Sequence, residues 1–130
     1  MLLVGIDLVE IKRIKRAMRR EHFVKRILGT TEYNQLKERG FPIQSVAASF
    51  CAKEAFVKAV GTGFCGVCLR EIELLRDQCG KPYFYLSGKA QVLQQQLNAD
   101  FCVSITHTKE YASAVVVAEK GDNKDESVKL

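Results

Sequence analysis

The chain has 130 residues, 47% hydrophobic and 27% charged, which fits one globular domain with a core of its own and excludes a disordered tail or a disulfide-stapled miniprotein. Its longest apolar runs, such as Ala112 to Ala118, fall far short of the ~20 residues that cross a bilayer. Met1 to Asp7 has no basic leader, and the five cysteines form an odd set, so a cytoplasmic protein with reduced thiols is expected. The net charge of +5 is unevenly placed: Lys12 to Arg26 alone carries +7, and the other 115 residues sum to −2. A neutral body with one strongly positive element calls for an acidic partner.

In chain order, Leu2 to Val9 reads as a buried strand interrupted by Asp7. From Glu10 to Leu28 the residues Ile11, Ile14, Ala17, Met18, Val24, Ile27 and Leu28 predict an amphipathic helix with a basic outer face, ended by Gly29. A second helix is expected from Thr30 to Arg39, before Gly40 and Pro42. The third, Ser45 to Val60, is apolar nearly all round and so belongs at the centre of the fold. Arg70 to Arg76 and Pro82 to Leu86 predict a hairpin across Asp77-Gln78-Cys79-Gly80. Gly88 to Leu97 has helical spacing, and Asp100 to Thr106 alternates as a strand. Tyr111 to Ala118 predicts the last strand. Residues 1–119 are read as one domain and 120–130 as a frayed tail.

Three features carry possible chemistry, each with a plainer reading. Asp7 in an apolar strand needs a partner or a metal, or else sits at a strand end as a cap. Glu54 and Lys58 share a helix face at i, i+4, the spacing of an ordinary surface salt bridge. His107 closes an alternating strand at a polar turn. Cys65-Gly66-Val67-Cys68 has CxxC spacing but no second pair of ligands, so the cysteines read as small buried hydrophobes.

Together these residues resemble the holo-acyl-carrier-protein synthases, the short class of 4'-phosphopantetheinyl transferases. Gly5-Ile6-Asp7-Leu8-Val9-Glu10-Ile11 is similar to the family's N-terminal block. Phe50-Cys51-Ala52-Lys53-Glu54-Ala55-Phe56-Val57-Lys58-Ala59 with Gly61-Thr62-Gly63 is similar to its central block. Val103-Ser104-Ile105-Thr106-His107-Thr108 with Tyr111-Ala112 resembles the C-terminal block, and Gly80-Lys81-Pro82 a turn between strands.

The resemblance implies an α+β domain, helices packed on a small antiparallel sheet, assembled as a trimer with sites between subunits. It implies transfer of 4'-phosphopantetheine from coenzyme A to a serine of apo-acyl carrier protein, releasing adenosine 3',5'-bisphosphate. Asp7 and Glu54 would be the Mg²⁺ ligands, and Glu54 and Lys58 the catalytic pair, with Lys58 beside the pyrophosphate. Gly61, Thr62, Gly63 and His107 would meet the phosphates of coenzyme A. The serine proton would pass to Glu54 or to a water on the metal. Arg13, Arg16 and Arg20, at three- and four-residue spacing, would meet the acidic carrier protein. One departure is Ser49, where many relatives carry a base; Lys37 or Arg39 is the candidate substitute. The competing readings are a basic module that binds nucleic acid through Lys12 to Arg26, and an interaction domain without activity.

Overall fold

The computed structural model describes residues 1–61 and 68–121. Apolar or alternating runs at both ends of the chain build a three-stranded antiparallel sheet in the order β1-β5-β4, from β1 (Leu2–Glu10), β4 (Ala99–His107) and β5 (Tyr111–Lys120). The register pairs Asp7 with Ala114 and Ala114 with Ile105, so these three residues share one face of the sheet. On that face lies α4 (Ile43–Val60), the element predicted to be central, with Val46, Ala47, Cys51, Ala52, Ala55 and Phe56 all fully buried.

Gly5 explains why strand and helix lie so close. A Cβ at this position would run into the carbonyl oxygen of Ala55 and the amide of Ala59. With alanines on the helix side and no side chain on the strand, the two backbones come into direct contact. Phe56 then fills the space beyond the sheet, its ring edge-on to Phe84 with centroids 5.3 Å apart and tilted on Phe101 at 4.4 Å.

The hairpin forms where expected, as β2 (Ile72–Arg76) and β3 (Pro82–Leu86), but as a separate two-stranded sheet. In its turn, Asp77 Oδ1 accepts from the amides of Cys79 and Lys81 at 2.8 and 2.9 Å, and Gly80 takes φ +83°. A short 3₁₀ turn, Leu69–Glu71, precedes β2, and α3 (Thr30–Glu38) and α5 (Gly88–Leu97) lie where the sequence places them.

The predicted helix over Glu10 to Leu28 is corrected. It divides into α1 (Ile11–Ala17) and α2 (Phe23–Ile27), with a turn between them. Ile14 and Ile27 are both buried, yet thirteen residues of continuous helix would place them about 140° apart around the axis. Breaking the helix at the polar run Arg19-Arg20-Glu21-His22 lets both face the core. No helix among the described residues is long and apolar enough to cross a membrane.

Candidate active site

Asp7 is the inward residue that follows Gly5 along β1, and the close strand–helix contact brings it to the middle of α4. It is paired within the strand, not a strand-end cap as its plainer reading had it. Its backbone carbonyl accepts from Cys51 Sγ at 3.2 Å and Ser113 Oγ at 2.9 Å, which holds this stretch of strand in place. Burial, with the negative charge of Asp7 behind it, pushes the Cys51 thiol up to about 12, so it stays a protonated donor.

The Asp7 side chain meets two groups from α4. Lys58 Nζ donates to Asp7 Oδ1 at 2.9 Å and to the Ile6 carbonyl at 3.2 Å, so the helix lysine pairs across to the strand. This corrects the surface i, i+4 bridge between Glu54 and Lys58. Glu54 is half-buried at the mouth of the same cleft, and its carboxyl is raised, first by burial and then by the like charge of Asp7, against the pull of Lys58. Two carboxylates and one ammonium therefore share the site. The cleft, about 320 Å³, is walled by Asp7, Glu54 and Arg13, with Phe23 and Phe50 supplying apolar surface.

Arg13 thus has a second position that the spacing did not reveal: it borders the carboxylates. It also shares a neighbouring basic hollow with Arg16, Ala17 and Arg20, although Arg20 lies beyond the end of α1. Gly61 ends α4 at φ +72°, a conformation suited to glycine, and its amide donates to the Val57 carbonyl. Thr62 and Gly63 lie outside the described residues. His107 is the last residue of β4, exposed on the far edge strand, and does not line the cleft with Asp7 and Glu54.

Ser49 is buried and shares a hollow with Arg39 and Arg76; Lys37 does not border it. The reading of the cysteines as buried hydrophobes is corrected too. Cys51 is buried, but Cys68, Cys79 and Cys102 are exposed, because Cys79 sits in the hairpin turn and Cys102 on the open face of β4; Cys65 lies outside the described residues.

The sequence reading also passed over Lys53. It is fully buried, and its ammonium donates to Glu32 Oε1 and to the carbonyls of Leu69 and Ile72. A lysine in a helix apolar all round was the available signal, since such a group has to find a buried acceptor.

The chain as a whole has relatives. Residues 3–116 match the model of the 4'-phosphopantetheinyl transferase superfamily. The chain belongs to this family. Within the phosphopantetheinyl transferases it is 43% identical over 117 residues to the holo-[acyl-carrier-protein] synthase of Clostridium beijerinckii, covering 89% of this chain and 95% of that protein. To the synthase of Lachnoclostridium phytofermentans it is 42% identical over 117 residues, 89% of this chain and 93% of that one.

Among solved structures it is similar to the synthase of Neisseria meningitidis, with TM-score 0.84, 35% identity and coverage of 91% of this chain and 98% of that one. It also resembles a Bacillus anthracis synthase in complex with CoA (3',5'-ADP), with TM-score 0.75, 36% identity, and 92% and 96% coverage. Membership of a transferase family accounts for residues 3–116, which the nucleic-acid module does not.

Proposed function

We propose that this protein transfers 4'-phosphopantetheine from coenzyme A to a serine of apo-acyl carrier protein, giving the holo form and adenosine 3',5'-bisphosphate. The observation that carries this reading is that Asp7 of β1 bonds to Lys58 of α4 and lines one cleft with Glu54 of the same helix. In the reaction the serine oxygen bonds to the phosphorus bearing the pantetheine arm, and the bond from that phosphorus to the adenosine-side phosphate oxygen breaks.

Asp7 and Glu54 fit a hard divalent cation. Both offer carboxylate oxygen, the donor Mg²⁺ prefers in sites that it shares with substrate phosphates, and the like charge of Asp7 adds to burial in raising the Glu54 carboxyl. Mg²⁺ held there supplies neutralisation of the pyrophosphate. Lys58, bonded to Asp7 yet largely exposed, sets a second positive charge where the leaving phosphate forms, as preorganised charge is most effective in phosphoryl transfer. The serine proton would pass to Glu54 or to a water beside it. Gly61 and the following Thr62-Gly63, with His107 on β4, are assigned to the phosphates of coenzyme A. Arg13, Arg16 and Arg20 are assigned to the acidic carrier protein, with Arg13 at the edge where carrier and carboxylates meet.

The outer face of the three-stranded sheet supports assembly. Leu2, Val4, Ile6 and Leu8 are each more than half exposed in the single chain, and Val117 beside them is 36% exposed. An apolar patch across β1 and β5, next to Cys102, Ser104 and Thr106 on β4, calls for a covering partner, and a closed homotrimer would place neighbouring subunits on it. His107, which does not line the cleft with Asp7 in one chain, would then complete a neighbour's site. The exposed thiols of Cys68, Cys79 and Cys102 accord with a cytoplasmic protein.

Incubation with coenzyme A, Mg²⁺ and a purified apo-carrier protein tests the reading. A mass gain of one phosphopantetheine arm on the carrier, lost when its acceptor serine is replaced by alanine, is the expected result. An unmodified carrier across a panel of carrier proteins would refute it.

A further inference from the structure

Lys53 and Glu54 are consecutive residues of α4 that face about 100° apart around the helix, one into the interior and the other into the cleft. The Lys53 side chain is 0% exposed, and its ammonium has three acceptors: Glu32 Oε1 at 2.5 Å, the Leu69 carbonyl at 3.2 Å and the Ile72 carbonyl at 2.5 Å. Glu32, on α3, is itself tied down, accepting from the Gly29 amide at 3.1 Å and the Leu74 amide at 3.0 Å, while its own amide donates to Glu73 Oε1 at 2.9 Å. No buried side-chain nitrogen or oxygen among the described residues lacks a partner.

Burying such a pair costs most of what its attraction returns, so stability does not account for it; fixing a register is the best-attested use of a buried ion pair. Here a register needs fixing. The sheet side of α4 presents Ala47, Cys51, Ala55 and Ala59 to a strand with a glycine at the point of contact, a smooth surface without interlocking shapes. Phe56 packs against Phe84 and Phe101, but apolar contact is not directional. The three bonds of Lys53 are directional, and they reach α3 and the start of the hairpin.

We propose that Lys53 is a positioning residue for the transfer reaction: its bonds to Glu32, Leu69 and Ile72 set the rotation of α4 that brings Glu54 and Lys58 to Asp7. The proposal rests on the reading that Asp7 and Glu54 hold the divalent cation. A helix rotation of about 20° moves a group at the ~5–6 Å side-chain radius by roughly 2 Å. A displacement of 1 Å in a reacting constellation already costs ~100-fold in rate.

The test uses the full-length double variant Lys53→Met/Glu32→Gln, which removes both charges of the pair at nearly constant volume and leaves the backbone amide of residue 32 as the donor to Glu73. The expected result is a folded protein with kcat reduced about 10- to 100-fold, a carrier-protein KM within twofold of wild type, and Mn²⁺ binding weakened about tenfold. The Mn²⁺ measurement is made by electron paramagnetic resonance in the absence of turnover. Lys53→Arg, which keeps the charge and donors but not the shape, gives the same split should the double variant not fold. Wild-type kcat and Mn²⁺ affinity in a folded variant, whatever its melting temperature, would overturn the proposal. Absence of Mn²⁺ binding in wild type would instead sink the cation reading, and the kcat and KM split would still decide the role of Lys53.

Discussion

Lys58 Nζ lies 2.9 Å from Asp7 Oδ1, joining a strand and a helix whose paired residues are 51 positions apart in sequence. The aspartate side chain is 15% exposed and the lysine 57%, so the bond is open to solvent on the lysine side and adds little to stability. Lys58→Met should therefore unfold within a few degrees of wild type while the transfer rate falls about 100-fold, the scale of losing one preorganised charge. Thermal denaturation and steady-state kinetics on the same preparation check this. A large loss of stability with normal kcat would make the pair structural.

Removal of either carboxylate should abolish Mg²⁺-dependent transfer without loss of fold. Asp7→Ala and Glu54→Ala are each expected to lose at least about 100-fold in kcat/KM, since water does not replace a carboxylate ligand at a cation facing pyrophosphate. Circular dichroism verifies the fold. Near-wild-type activity in either variant at ordinary Mg²⁺ concentration would remove that residue from the site.

The raised Glu54 carboxyl sets the sign of a pH effect. Its folded value lies above its unfolded one, so the native state binds more protons between the two, and this group's contribution to stability falls as pH rises through that window. In metal-free protein at neutral pH, Glu54→Gln should melt above wild type, and the difference should shrink below the ordinary carboxylate range of about 4.3. Adding Mg²⁺ should reverse the order, because the cation favours the ionised wild-type carboxylate. Melting curves with and without chelator, at several pH values, decide it; a difference that ignores both pH and Mg²⁺ would separate Glu54 from the negative cluster.

Gly5→Ala tests the backbone contact that places Asp7. The added methyl would meet the Ala55 carbonyl and the Ala59 amide, so strand and helix must part. Destabilisation of about 1–3 kcal/mol is expected, together with a loss of activity larger than the unfolded fraction explains. Urea titration and kinetics below the unfolding transition measure the two separately.

Reversal of Arg13 and Arg16 to Glu should raise the KM for carrier protein about tenfold or more and reduce its salt dependence, because screening acts over roughly 8 to 10 Å at physiological ionic strength. Coenzyme A binding, followed by calorimetry, should change much less in Arg16→Glu alone, because Arg16 does not line the cleft with Asp7 and Glu54. An unchanged carrier KM would return these arginines to a role in solubility.

Assembly has its own check. Sedimentation equilibrium should give a trimer for wild type and a smaller species for Val4→Glu, which puts a charge into the apolar face next to Val117. A wild-type monomer at micromolar concentration would argue against shared sites.

Most elements were legible from the sequence because their signals are local. The alternation along Asp100 to Thr106, the apolar girth of Ser45 to Val60 and the turn chemistry at Asp77 to Gly80 each depend on neighbours within a few residues. Asp7, Glu54 and Lys58 were singled out by residue type and by resemblance to a family, and spacing alone favoured the plainer readings. The tertiary structure decided the rest. That Lys58 pairs with Asp7 follows from the contact of Gly5 with Ala55 and Ala59, which no local period encodes. The break between α1 and α2 arises because Ile14 and Ile27 must bury against one core that a straight helix would present to only one of them. The depth of Lys53 depends on Glu32, Leu69 and Ile72, which converge on it from two segments distant in sequence, α3 and the turn into β2. Hydrophobic periodicity reports which face of an element is buried; what lies opposite that face is set by how the elements pack.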